Sequence, residues 1–185
     1  MNRFKLFLSV LLSAAVSSLA LAADDAKPAA PAKKPDSFIL WDFSTTPNSF
    51  AYGTWSKSVS AGKGGITILK GADGKGGCGA DCDLNLDDAR FIELGMAVGV
   101  ANEVPQVQIV FEDDDGTTVS WRIGISQIMP TLPVWFRVPM SGMKIDKPGK
   151  DGKLNSSKVV KWHLQGDFST EKPMHFMAIA LRARR

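Results

Sequence analysis

The sequence predicts an all-β domain, a sandwich or barrel of antiparallel strands. Three observations carry this. Short runs alternate apolar and polar residues with a period of two; clusters of Gly, Asp and Pro separate the runs; helical periodicity is nearly absent. One-face-apolar alternation fits antiparallel pairing, where one side of a sheet packs inward and the other meets water.

The elements follow in order. Residues 38–43, Phe-Ile-Leu-Trp-Asp-Phe, open as a strand. Residues 66–69 form a second, bounded by Gly62-Lys63-Gly64-Gly65 and Gly71-Ala72-Asp73-Gly74. Residues 91–100 alternate, with Ile92, Leu94, Met96, Val98 and Val100 on one face. Residues 106–112 set Val107, Ile109 and Phe111 inward and Gln106, Gln108 and Glu112 outward. Asp113-Asp114-Asp115-Gly116 then turns the chain, because Asp and Gly tolerate the positive φ that a tight hairpin needs. The return strand, 118–125, sends Val119, Trp121, Ile123 and Ile125 inward and Ser120 and Arg122 outward. Residues 134–138 continue the pattern, and 154–158 suit one short turn. In 159–165, Val160, Trp162 and Leu164 share one face, Lys161, His163 and Gln165 the other. Residues 174–181 close the domain as a central strand, with Phe176, Ile179 and Leu181 and no proline.

The N-terminus reads differently. Arg3 and Lys5 precede an uncharged run from Leu6 to Leu21 that ends in Ala20-Leu21-Ala22. A basic start, an apolar middle and a small-x-small end make a secretory signal, expected at residues 1–22. The run of 16 residues is short of the about 20 that a membrane-spanning helix needs. Residues 23–36, rich in Ala, Pro and Lys with nothing large to bury, read as an extended tether. The folded domain is expected at 37–185, and the mature chain in the periplasm or outside the cell, with no stable membrane span.

The whole chain carries a net +3, of which Arg3 and Lys5 supply two, so removing the signal leaves +1. A near-neutral chain lacks the basic footprint of a nucleic-acid binder. Arg182, Arg184 and Arg185 read as a solvated basic end.

The two cysteines, Cys78 and Cys82, stand in a glycine-rich stretch, Gly76-Gly77-Cys78-Gly79-Ala80-Asp81-Cys82. In an oxidising compartment they are expected to pair as a disulfide pinning a loop. The alternative is a metal pair, to which only His163 and His175 are available as further imidazole ligands.

Three stretches together carry a resemblance. They are Leu40-Trp41-Asp42-Phe43, Phe111-Glu112-Asp113-Asp114-Asp115-Gly116-Thr117 before a Trp-bearing strand, and Asp151 through Gly166 before the last strand. The combination resembles the galactose-binding-like jelly rolls used as carbohydrate-binding modules by bacterial glycan-degrading proteins. The resemblance spans roughly residues 37–185. It implies a jelly-roll β-sandwich, a glycan partner and no catalysis. Many such modules hold a structural calcium with acids on the first and last strands. Asp42 matches the first position, but the last strand has no acid, so the resemblance implies no firm cofactor.

On such a fold, Gln106, Gln108, Arg122, His163 and Gln165 converge on one polar face if their strands are neighbours. Amides and guanidinium groups bond adjacent sugar hydroxyls, and an aromatic ring stacks on the C–H face of a pyranose. Tyr52 and Trp55, in a segment read as a surface loop, are the candidate rings; the plain alternative is an ordinary wet sheet face with Trp55 packed beneath a loop. Trp41, Trp121 and Trp162 are expected in the core.

No catalytic set is specified. A glycosidase needs two facing carboxylates, and the spacing of Glu93, Glu103, Glu112 and Glu171 pairs none of them. Glu93 is expected to point outward from its strand. Neither a Gly-x-Ser-x-Gly elbow nor a phosphate-binding Gly-rich loop is present. The function expected is an exported, non-catalytic carbohydrate-binding module. The alternative is a protein-interaction or scaffold domain of the envelope.

Overall fold

The computed structural model describes residues 34–46, 48–61 and 67–185. The expected signal and nearly all of the expected tether lie outside those residues, as do Ile66 and the glycines at 62, 64 and 65. Twelve strands and three single 3₁₀ turns make up the described chain.

Two six-stranded sheets pack face to face. The first is built from β1 (Ser37–Asp42), β3 (Val59–Ala61), β4 (Thr67–Ala72), β6 (Phe91–Val98), β9 (Pro133–Pro139) and β12 (Met174–Arg184). The second holds β2 (Phe50–Gly53), β5 (Gly76–Leu84), β7 (Gln106–Asp113), β8 (Thr118–Gly124), β10 (Lys144–Lys147) and β11 (Val159–Gln165). All pairings are antiparallel, and the second sheet runs β10-β8-β7-β11-β5-β2. In the first sheet, β12 is central: β6 lies along one side, and β4 and then β1 share the other. The fold is the expected all-β jelly-roll sandwich.

The alternating apolar residues form one core. Ile92, Leu94, Met96, Phe176 and Leu181 of the first sheet and Ile109, Phe111, Trp162, Leu164 and Cys78 of the second belong to it. Trp162 is a centrepiece, with Trp41 at 5.1 Å and Phe43 edge-on at 5.2 Å between ring centroids. Trp41 and Trp121 are partly buried against this core, as expected of them. The β7–β8 hairpin turns at Gly116, φ 89°, and the single turn expected at 154–158 is the 3₁₀ turn Ser156–Lys158.

Several expectations change. β6 ends at Val98, and Val100 is 78 % exposed in the following loop. β2, β5 and β10 were not legible as strands. β10, Lys-Ile-Asp-Lys, is exposed at every position and has no buried face to create alternation. β5 is glycine-rich and has bulky neighbours on both sides.

That last difference overturns the disulfide. Residues 76–84 are an extended strand paired on both edges, with β11 and with β2. Four residues along a strand separate Cys78 from Cys82 by about 13 Å at ~3.3 Å per residue, beyond the roughly 7 Å that a disulfide's Cα atoms tolerate. Both are free thiols, Cys78 buried in the core and Cys82 half-buried with its Sγ 3.5 Å from the Val159 carbonyl oxygen. Burial pushes the Cys78 thiol up to about 12 and, with Asp81 and Asp83 adding to burial, Cys82 to about 11.

Candidate functional site

The outer face of the second sheet carries the candidate site. Register sets its rows. Gln108 lies opposite Arg122 on one side and Gln165 on the other, and Gln165 lies opposite Gly77, which faces Tyr52. The next row runs Ser120, Val110, His163, Gly79 and Phe50. Period-two alternation turns all these side chains away from the core. Gln106, Gln108, Arg122, His163 and Gln165 therefore line one cleft of about 540 Å³, together with Val110, Thr118, Asp146, Lys147, Asp167, Phe168 and Ser169.

Glycine shapes the end of the cleft nearest β2. A Cβ on Gly77 would stand 2.3 Å from the Tyr52 hydroxyl oxygen, and one on Gly79 would stand 2.5 Å from the His163 Cβ. The glycines of β5 thus clear a trough in which the Tyr52 and His163 rings meet, their centroids 5.8 Å apart. Tyr52 Oη donates to Gln165 Oε1 at 3.1 Å and lies 3.3 Å from His163 Nδ1. A phenol has one proton, so with that proton on Gln165 the second contact takes its hydrogen from Nδ1–H of His163. Tyr52 braces two cleft residues from behind; it is not itself a wall of the cleft. Burial pushes its phenol up to about 12. Burial also pulls the His163 imidazole down to about 4, with Glu112 opposing and Lys161 assisting, so His163 is neutral at physiological pH.

At the other end Asp167 organises the loop after β11. Its Oδ1 accepts the Ser169 N–H at 3.0 Å and the Ser169 hydroxyl at 2.6 Å, and its Oδ2 accepts from the Gln106 amide at 3.0 Å. Burial raises the Asp167 carboxyl, but the Ser169 and Gln106 hydrogen bonds outweigh it and hold the group below its ordinary value. Phe168, next in the chain, is 51 % exposed and lines the cleft. Neither residue was legible in sequence, because a loop has no periodicity to mark an inward side. Beyond Arg122 and Asp146 the cleft continues into a second lobe of about 430 Å³ along Ser120, Trp121, Gly142 and Lys144.

Trp55 is a correction. It is wholly buried, packs edge-on against Phe176 at 5.7 Å between centroids, and donates Nε1–H to the Asp73 carbonyl oxygen at 2.9 Å. Its indole fills a slot between Gly76 and Gly166, where a Cβ would stand 2.6 and 2.8 Å from the ring. It is unavailable to a ligand. Phe168 is the exposed ring of the cleft.

The metal and catalytic alternatives fare as follows. Cys78 and Cys82 face the core, while His163 lies on the outer face of the same sheet. Asp42 Oδ1 accepts from the Ser44 N–H and hydroxyl at 2.8 and 2.6 Å, and the residue opposite it on β12 is Ala180, which offers no side-chain oxygen. The residues present do not fit the calcium site of the resembled modules. Asp113 accepts N–H groups from Asp115, Thr117 and Asn155, and Asp115 from Thr117, Lys150 and Asp151, so both carboxylates tie the 149–155 loop to the hairpin. Among the described residues no cluster of three or more His, Cys, Asp or Glu forms a metal-holding group. Glu112 lies 3.7 Å from Lys161. The Asp167 shift runs opposite to the one a glycosidase acid requires.

Comparison with known proteins fits this geometry. No protein-family profile matches the chain, and no curated protein does. Solved structures do. The family 11 carbohydrate-binding module of a cellulosomal cellulase from Clostridium thermocellum superposes with a TM-score of 0.56 at 18 % identity, over 82 % of this chain and 96 % of that one. The same module in complex with a β-1,3-1,4-mixed-linked tetrasaccharide gives 0.55 at 18 %, over 80 % and 95 %. An agarase gives 0.56 at 16 %, over 82 % of this chain and 25 % of that one. The fold is that of the jelly-roll carbohydrate-binding modules.

Proposed function

We propose that this chain is a non-catalytic module that holds a neutral poly- or oligosaccharide in the cleft of the second sheet. The observation that carries the proposal is the convergence of Gln106, Gln108, Arg122, His163 and Gln165 on one cleft with an exposed ring, Phe168, at its edge. Amides and a guanidinium offer the donors and acceptors that vicinal hydroxyls need, and Phe168 offers a face for pyranose C–H groups. Charge supports a neutral ligand. Arg122 and Lys147 are matched in the main lobe by Asp146 and Asp167, and His163 is uncharged. The fold likeness to carbohydrate-binding modules supports the same class. The basic start, uncharged run and Ala20-Leu21-Ala22 ending of residues 1–22 support export, to the periplasm or beyond.

Affinity electrophoresis of the chain through gels of mixed-linkage β-glucan, xylan and agarose tests the proposal. Retardation in at least one neutral gel is expected. Uniform mobility in all of them, with a protein partner recovered by pull-down, would replace it with the scaffold alternative.

A further inference from the structure

The second lobe of the cleft differs from the first in charge, and β10 is the cause. In a regular strand Lys144 and Asp146 would face one way, Ile145 and Lys147 the other. A bulge between Ile145 and Lys147 breaks that order. Lys144 stands opposite Ser120 and Lys147 opposite Thr118, both residues of the cleft face. Lys144, Asp146 and Lys147 therefore all line the cleft, three charged residues from a strand of four. Bulges re-aim side chains in this way, and they gather beside functional sites.

The two lobes also differ in what their polar groups already hold. Tyr52 engages Gln165 and His163, and Gln106 engages Asp167. Among the described residues no hydrogen bond or ion pair engages the side chains of Ser120, Arg122, Lys144 or Asp146. Ser120 is only 5 % exposed, and it lines the second lobe. A polar side chain so nearly buried is completed by water or by a ligand. Arg122 and Asp146 line both lobes and offset each other in charge. Lys144 lines the second lobe alone, where no further acid answers it.

We infer that the second lobe is a subsite for a carboxylate-bearing side group, a uronate, carried by the glycan whose neutral backbone lies in the main lobe, an assignment that rests on the reading of the main lobe as a sugar site. Lys144 Nζ and the Ser120 hydroxyl, from residues opposite each other in register, donate to the carboxylate. The lobes are continuous through Arg122 and Asp146, so a side group on a ligand in one reaches the other. About 430 Å³ is the volume of a ligand pocket and exceeds what a bound water needs. A neutral side group would leave the Lys144 charge unmatched, whereas a uronate neutralises it. The second lobe thus distinguishes an acid-substituted backbone from a bare one.

The test is an NMR titration of the isotope-labelled full chain with methyl glucuronide and methyl glucoside, which differ by a carboxylate in place of a hydroxymethyl group. Backbone amide shifts at Ser120 and Lys144 read the second lobe; those at Gln108 and Gln165 read the main lobe, which is titrated in parallel with mixed-linkage β-glucan, xylan and agarose oligosaccharides. The glucuronide should move the Ser120 and Lys144 amides and bind severalfold more tightly than the glucoside, the size of one partly exposed ion pair. Added salt should narrow that preference. Lys144→Gln, which alters only an exposed head group, and Ser120→Ala should each reduce it, and Lys153→Gln, elsewhere on the surface, should leave it unchanged. Equal binding of the two monosaccharides, while a neutral oligosaccharide still moves Gln108 and Gln165, overturns the inference and leaves the main-lobe reading standing. A preference that Lys144→Gln and Ser120→Ala leave whole, or glucuronide shifts confined to other surfaces, also overturns it. If no sugar, acidic or neutral, moves either set of amides, the subsite and the main-lobe reading fall together.

Discussion

Tyr52 lies across Gly77, its hydroxyl oxygen 2.3 Å from where a Cβ of residue 77 would stand. From that seat the hydroxyl reaches Gln165 and His163. A missing side chain on β5 thus places two polar groups of the cleft. Gly77→Ala should displace the Tyr52 ring and cost about 1–3 kcal/mol, the range of overpacking. Chemical denaturation would measure the loss. Tyr52→Phe keeps the ring and should leave stability within about 1 kcal/mol while loosening His163 and Gln165.

Trp55 anchors the fold and touches no ligand. Trp55→Ala should cost about 3–5 kcal/mol, as removal of a fully buried aromatic side chain does. Phe168→Ala, at an exposed site, should leave the melting temperature nearly unchanged and lower glycan affinity. If Phe168→Ala destabilises the domain and Trp55→Ala does not, the two rings have been given each other's roles.

Stability should depend on pH through His163. Its folded value, about 4, lies below the 6.5 of a free imidazole because burial disfavours the cation. As pH falls past about 6.5 the unfolded chain takes up a proton that the folded chain resists until about 4. The stabilisation is therefore complete above 6.5 and lost progressively down to 4, amounting to about 3 kcal/mol. His163→Gln should flatten that part of the pH–stability curve; an unchanged slope would mean that His163 is solvated.

The thiols offer a simple check. Under denaturing conditions without reductant, alkylation should modify both Cys78 and Cys82, and the melting temperature should be the same with and without reductant. Native Cys78 should react far more slowly than in the unfolded chain, since a buried thiol raised to about 12 holds almost no thiolate. A chain that takes up no alkyl group and weighs two units less than its reduced form would restore the disulfide.

The core and much of the cleft were legible because a sheet with one buried face writes its orientation into alternate residues. Val107, Ile109 and Phe111 fix β7, and the same parity sends Gln106 and Gln108 to the cleft. Parity says nothing where it is interrupted. The glycines of β5 look like a loop because their role, making room for Tyr52, Trp55 and His163, is visible only from the neighbouring strands. Trp55 stood among polar residues beside Gly53, which mimics a surface loop. Gly53 is there for another reason: φ is +62°, and a Cβ would stand 2.1 Å from the Lys75 carbonyl oxygen. Arg182 and Arg184 looked like a tail because the apolar run ends at Leu181, whereas β12 continues to Arg184 through pairing with β1 and β6, distant in sequence.

The central claim is that the cleft of the second sheet binds a neutral glycan, and isothermal titration tests it most directly. The chain, Arg122→Ala and Gln108→Ala would each be titrated with mixed-linkage β-glucan, xylan and agarose oligosaccharides. At least one ligand should release heat with the native chain and bind about tenfold or more weakly to each variant, as loss of a ligand-facing hydrogen-bonding group predicts. Equal binding by all three proteins, or no heat from any neutral glycan, would contradict the claim.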